Sequence, residues 1–224
     1  MNTTQFYDSI SSEYTGLLER TVPCYREMMV HLMKYIPDGL NVGNILELGC
    51  GTGNLTYMLR EKYPPAHIEA VDFSESIIRE CRTRMGATDH ITYNRIDFRD
   101  MSFPAGSFDL IISSISIHHL EDADKEVLFQ KLYTFLKSGG VFTFSDQCKG
   151  ITEEIYLKEQ MGWKSEAFES GASENDWKTW MEHQEMHDHH ASIPDQMHWL
   201  EQAGFRNVDV VWKYLLWTVF YSEK

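Results

Sequence analysis

Between residues 44 and 145 the chain alternates, with short connections, between apolar runs of strand length and segments with helical spacing. Asn44 to Leu48 reads as a strand, Asn54 to Tyr63 as a helix closed by Pro64-Pro65, and His67 to Asp72 as a second strand. Ser74 is placed to cap a helix over Glu75 to Met85, because its oxygen can accept an otherwise unpaired amide of the first turn. Ile91 to Arg95 gives a third strand. Phe108 to Ser114 gives a fourth, apolar as a strand covered on both faces must be. Helical spacing over Lys125 to Leu136 is followed by Ser138-Gly139-Gly140, which predicts a turn into a fifth strand over Val141 to Ser145. Strands separated by helices re-enter a sheet through right-handed crossovers, so the pattern implies a mostly parallel sheet with helices on both faces.

Two regions depart from this rhythm. Residues 1–36 look helical and rich in Tyr and Met, and residues 149–190 form a polar, Trp-containing insertion before a last helix over Asp195 to Ala203. After Gly204-Phe205, Val208 to Tyr214 and Leu215 to Tyr221 read as two closing strands, an antiparallel hairpin near the sheet edge. The expectation is a single domain over 1–224: a helical lid (1–36), a core (37–148), an inserted lid segment (149–190) and the C-terminal part of the core (191–224).

The composition argues against several classes of partner. A net charge of −14 opposes polyphosphate, so no nucleic-acid partner is expected. No run approaches the ~18 apolar residues of a membrane helix, and Met1 to Ile10 lacks the basic start and apolar stretch of a signal peptide. No membrane partner and a cytoplasmic location are therefore expected; a homodimer is left open. Cys24, Cys50, Cys81 and Cys148 are widely spaced, which suggests reduced thiols rather than a zinc ribbon or disulfide framework.

The segment Ile45-Leu46-Glu47-Leu48-Gly49-Cys50-Gly51-Thr52-Gly53-Asn54 puts three glycines between a strand and a helix, where backbone amides can approach a ligand closely. It lacks the G-x-G-x-x-G spacing of a dinucleotide loop. Asp72 ends the second strand, where a carboxylate can accept from both hydroxyls of a ribose, and Asp97 follows the third, within reach of an adenine amino group. Taken as local structure alone, the two aspartates would merely cap the segments that follow them.

Together ILELGCGTGN, EAVDFSESII and NRIDF resemble the signature of class I S-adenosylmethionine-dependent methyltransferases. The resemblance implies a Rossmann-like seven-stranded sheet with S-adenosylmethionine as cofactor. It implies that Gly49, Cys50 and Gly51 line the methionine and ribose, that Asp72 holds the ribose hydroxyls, and that Phe73 flanks the adenine. Asp97 and Phe98 would close over the adenine edge, and Glu47 would orient the methionine amino group directly or through water. Arg20 to Tyr25, Ile78 to Arg82 and Ala203-Gly204-Phe205 are also similar to carboxy-S-adenosylmethionine synthases and their methyltransferase relatives, which implies that Tyr25 and Ser114 touch the cofactor. Those synthases carry an arginine where this chain has Trp199. An indole cannot pair with the extra carboxylate of their product, so ordinary methyl transfer to a small-molecule acceptor is expected. The alternatives are the synthase activity and a catalytically silent cofactor-binding protein.

Methyl transfer needs alignment and, for a protonated acceptor, a base. His118 and His119 follow the fourth strand and are the candidate proton acceptors, although histidines there can serve only to pack. Residues 182–190 hold four of the ten histidines, and on a continuous helix His183, His187 and His190 would share one face. No H-E-x-x-H or cysteine partner accompanies them, so a polar lid face is expected, and no metal.

Overall fold

The computed structural model describes residues 14–224, the side chain of Tyr14 excepted, so the start of the expected lid, with Tyr7, lies outside the described residues. The alternation of the sequence becomes β1 (Asn44–Leu48), α3 (Asn54–Lys62), β2 (His67–Asp72), α4 (Glu75–Met85), β3 (Ile91–Arg95), β4 (Phe108–Ser114), α5 (Asp122–Phe135) and β5 (Leu136–Gln147). Ahead of it stand α1 (Tyr14–Thr21) and α2 (Tyr25–Lys34); behind it come α6 (Glu153–Glu169), α7 (Glu174–His187), α8 (Ile193–Ala203), β6 (Arg206–Tyr214) and β7 (Trp217–Glu223). As expected, Ser74 caps α4 by accepting from the Ile77 amide.

The seven strands lie in the order β3-β2-β1-β4-β5-β7-β6. β1 to β5 are parallel, whereas β7 runs antiparallel to both β5 and β6. Alternate side chains feed two cores. Ile45, Leu110 and Ile112 face one layer with α1 to α4, α6 and α7, and Leu46, Ile111 and Phe142 face the other with α5 and α8. The Rossmann-like α/β fold with its antiparallel terminal hairpin is therefore present. Strand order reverses between β1 and β4, so the loops leaving them diverge and open a crevice at their carboxyl ends.

One local expectation fails. The Ser138-Gly139-Gly140 segment is not a turn between α5 and a short strand; it is an excursion inside β5, where Leu136 faces Phe108 and Val141 already faces Leu110. Gly139, at φ 78°, donates its amide to the Lys224 carbonyl at 2.8 Å, so tertiary pairing with the end of β7 holds the excursion in the sheet.

The N-terminal helices and the insertion form one cover. Trp163 of α6 is fully buried, donates its indole N–H to the Thr21 carbonyl, and meets Trp177, Trp180 and Trp217 edge-on. The three tryptophans of the insertion thus form the cover's own core. Among the described residues no helix is long and apolar enough to cross a membrane.

Candidate active site

The loop after β1 is pinned to β2 by its own amides: Gly49 and Cys50 both donate to the Val71 carbonyl, at 2.8 and 3.0 Å. Gly49 has φ 68°, and a Cβ there would stand 2.5 Å from the side chain of Ser116. Only glycine lets the loops leaving β1 and β4 touch. Asp72 completes the anchorage, accepting from the Gly51 amide at 3.1 Å and the Ser74 amide at 3.0 Å. Burial pushes its pKa up to about 6, against these backbone bonds, which favour the charged form.

Above this loop lies a cavity of about 350 Å³, within the range of small-molecule sites. Gly49, Cys50, Gly51, Asp72, Phe73, Asp97 and Phe98 line its floor. Tyr25, Ser114 and His119 line it from α2 and from the end of β4. The Tyr25 hydroxyl accepts from Asn54 Nδ2 at 3.0 Å, which ties α2 to the start of α3. Asp97 caps a short 3-10 turn and is paired with Arg99, whose guanidinium holds its pKa below the ordinary value. Both aspartates therefore hold the backbone after them and line the cavity as well.

Two expected residues do not reach it. Glu47 is fully buried beneath the loop; its carboxyl accepts from the Thr56 hydroxyl at 2.8 and 3.0 Å, and burial raises its pKa well above the ordinary carboxylate value. His118 is buried behind His119, hydrogen-bonded through Nδ1 to Asp146, which also accepts the His118 amide at 2.8 Å. Burial opposes protonation of His118, but the carboxylates of Asp146 and Asp188 outweigh it and raise its pKa. For His119, burial and the neighbouring His118 lower the pKa, leaving a neutral ring beside the cavity.

Sequence reasoning missed several contributors. Ile115, the first residue after β4, lines the cavity at φ 53°, a left-handed conformation that strains a β-branched residue. It carries no sequence signal, since glycine or asparagine marks such positions. Met29 lines the cavity beside Ser114, with Oγ to Sδ at 3.3 Å, and Arg99 lines it from the floor. The expected helical face of three histidines is not formed, because α7 ends at His187 and Asp188 is already extended. His190 reaches the same place from the following segment. Trp199 packs on the α5 face of the sheet and is not a cavity residue, so within one chain its identity does not separate the two candidate activities.

A family profile for a methyltransferase domain matches residues 45–140, which hold the glycine loop, Asp72, Asp97 and the end of β4. Over that span the chain is similar to methyltransferase domains. It is 32% identical over 120 residues to malonyl-(acyl-carrier protein) O-methyltransferase 2 of Ilyobacter polytropus, covering 54% of this chain but only 45% of that relative. It is 24% identical over 237 residues to carboxy-S-adenosyl-L-methionine synthase of Helicobacter pylori, spanning 98% of this chain and 93% of the relative. An S-adenosylmethionine-dependent methyltransferase from Mesorhizobium loti shares the fold with a TM-score of 0.62 at 21% identity, over 86% of this chain and 95% of that one. The residues present fit the family's cofactor: the loop is closed to any side chain at Gly49, and the cavity floor carries a buried carboxylate and two phenyl rings.

Proposed function

We propose that the chain transfers a methyl group from S-adenosylmethionine to a small-molecule acceptor within the covered cavity. The observation that carries this reading is convergence: the glycine loop, Asp72 and His119 come from three separate loops to line one small cavity roofed by α1 and α2. Bound S-adenosylmethionine supplies a methyl group on a cationic sulfur and leaves as a neutral thioether. Asp72 would accept from the ribose hydroxyls, Phe73 and Phe98 would flank the adenine with Asp97 at its edge, and Gly49, Cys50 and Gly51 would line the methionine and ribose. Tyr25, Met29 and Ser114 surround the transferring group and exclude water. His119, neutral at pH 7, receives the proton of a thiol, amine or hydroxyl acceptor.

A second reading is favoured by one observation, the nearly full-length match to the carboxy-S-adenosylmethionine synthase. It requires a cation for the added carboxylate. Among the described residues the single Lys or Arg lining the cavity is Arg99, and it is already engaged by Asp97 at 2.7 Å and by Asp124 at 3.7 Å. Burying a carboxylate without a partner costs several kcal/mol, which favours methyl transfer. Mass spectrometry of the ligand released from purified protein, together with transfer of labelled methyl to a panel of thiols, amines and phenols, tests both. Labelled product with unmodified S-adenosylmethionine as ligand supports methyl transfer; a carboxylated ligand overturns it. Tight cofactor binding with no turnover on any acceptor would leave a silent binding protein.

A further inference from the structure

Four imidazoles converge on one carboxylate. Asp188, with a side chain only 2% exposed, has Oδ1 3.1 Å from His119 Nδ1, 3.6 Å from His118 Nε2 and 3.7 Å from His183 Nε2, while Oδ2 lies 3.8 Å from His190 Nε2. One short contact excepted, these separations exceed hydrogen-bond length, and one oxygen has too few lone pairs to serve three rings. They are instead the spacing of ligands around a shared ion. Bonds of about 2.0–2.1 Å in a tetrahedron set neighbouring ligand atoms roughly 3.3 Å apart.

We propose that Asp188, His118 and His119, with His183 and His190 flanking, form a binding site for a divalent first-row metal ion at the acceptor end of the cavity. The candidate ligand atoms of Asp188, His118 and His119 all lie within 4.8 Å of one another. Two histidines and a carboxylate leave further coordination positions for a flanking imidazole and a ligand from the cavity. Groups behind the rings already orient them. Asp146 accepts from His118 Nδ1, turning Nε2 toward Asp188, and the Tyr156 hydroxyl lies 2.8 Å from His190 Nδ1, turning its Nε2 the same way. A carboxylate or hydroxyl on the far nitrogen is how metal-ligating histidines are held. Lys125, whose charge acts on His118, is spent on the His189 carbonyl and on Asp122 at 3.0 Å. A depression lined by Glu121, Asp122, His189 and His190 gives the ion an acidic approach from the surface.

Metal binding stands independently of the methyltransferase reading. Its consequence for catalysis rests on that reading: with Nδ1 on the metal, His119 would present Nε2–H to the cavity, and an acceptor heteroatom on the ion, its pKa lowered, would release its proton to water rather than to His119.

The test uses the full chain stripped with chelator and titrated with Zn2+ by calorimetry and with Co2+ by visible absorption. S-adenosylmethionine affinity is measured on the same samples. About one ion per chain, the visible bands of histidine-ligated Co2+ and a metal-dependent rise in melting temperature are expected. Asp188→Asn should weaken Zn2+ at least tenfold, and Tyr156→Phe, a milder change behind His190, by roughly tenfold; His90→Asn, an exposed histidine outside the cluster, should not alter it. No stoichiometric binding by the wild type, or binding unchanged in both cluster variants, overturns the site and leaves Asp188 as a buried carboxylate that only positions the imidazoles around it. Metal binding without cofactor binding would overturn the proposed function instead.

Discussion

The two ends of the cavity are built from different materials. The end proposed to hold the cofactor is built on backbone: the loop of Gly49, Cys50 and Gly51, pinned by its own amides to Val71 and Asp72, within one β1-α3-β2 unit and all inside the span matched by the methyltransferase profile. The histidine end is side chain. His118 meets Asp146 across 28 positions of sequence, and its other partners, Asp188 and His190, lie at the end of the insertion and outside that span. The difference teaches where chemistry can vary: a backbone cradle is fixed by turn geometry, whereas a side-chain hub can be rebuilt by changing one segment of the cover.

The comparison can be broken most severely at Gly49. Gly49→Ala places a Cβ against Ser116 in a left-handed backbone and should cost about 2–4 kcal/mol of stability, read as a lowered urea midpoint with unchanged slope. If stability is unaltered, contact between the two loops does not depend on glycine. Asp72→Ala should weaken S-adenosylmethionine by about 2–3 kcal/mol in calorimetry, the scale of charge-assisted hydrogen bonds. Zn2+ affinity should stay constant in that variant, because the two ends share no ligand.

A smaller effect comes from pH. In the proposed complex only the ionised Asp72 carboxylate can accept from both ribose hydroxyls, so with its pKa at about 6 cofactor affinity should be present above pH 6 and fall about tenfold between pH 7 and pH 5. The ligand-free fold responds with the opposite sign. The folded pKa lies above the ordinary 3.8, so the native state holds the extra proton and Asp72's contribution to stability declines as pH rises through that window. Flat affinity from pH 5 to 7 would exclude Asp72 as the titrating contact. The smallest effect is expected for Glu47→Gln. The carboxyl is buried against Thr56 and outside the cavity, so cofactor affinity should change less than about threefold, a few tenths of a kcal/mol. A tenfold loss would mean that Glu47 reaches the methionine amino group through water.

The cofactor end was legible because its signals are local. Glycines between a strand and a helix, a carboxylate ending the next strand and Ser74 before a helix each imply their own geometry, and β1 to β4 begin and end where the sequence placed them. What escaped depends on tertiary pairing. Nothing near Gly139 announces that the Lys224 end will hold it within β5. The histidine run was read as one helical face because spacing alone cannot show that α7 stops at His187 and that Asp188 turns inward. His118 and His119 look equivalent in sequence, yet register at the end of β4 sends one to the cavity and buries the other against Asp146. Ile115 was invisible for the opposite reason: it adopts a conformation its residue type disfavours, so propensity argues against finding it.

The placement of β7 between β5 and β6 sets an order of events during synthesis. β6 leaves the ribosome first, but its hydrogen-bonding partner in the finished sheet is the strand made after it. Until β7 emerges, β5 and β6 both present open edges of the kind that recruit foreign strands. Strand β7 then closes both edges at once, so a nascent chain arrested after Tyr214 would expose more unpaired backbone than one arrested after β5, although it is longer.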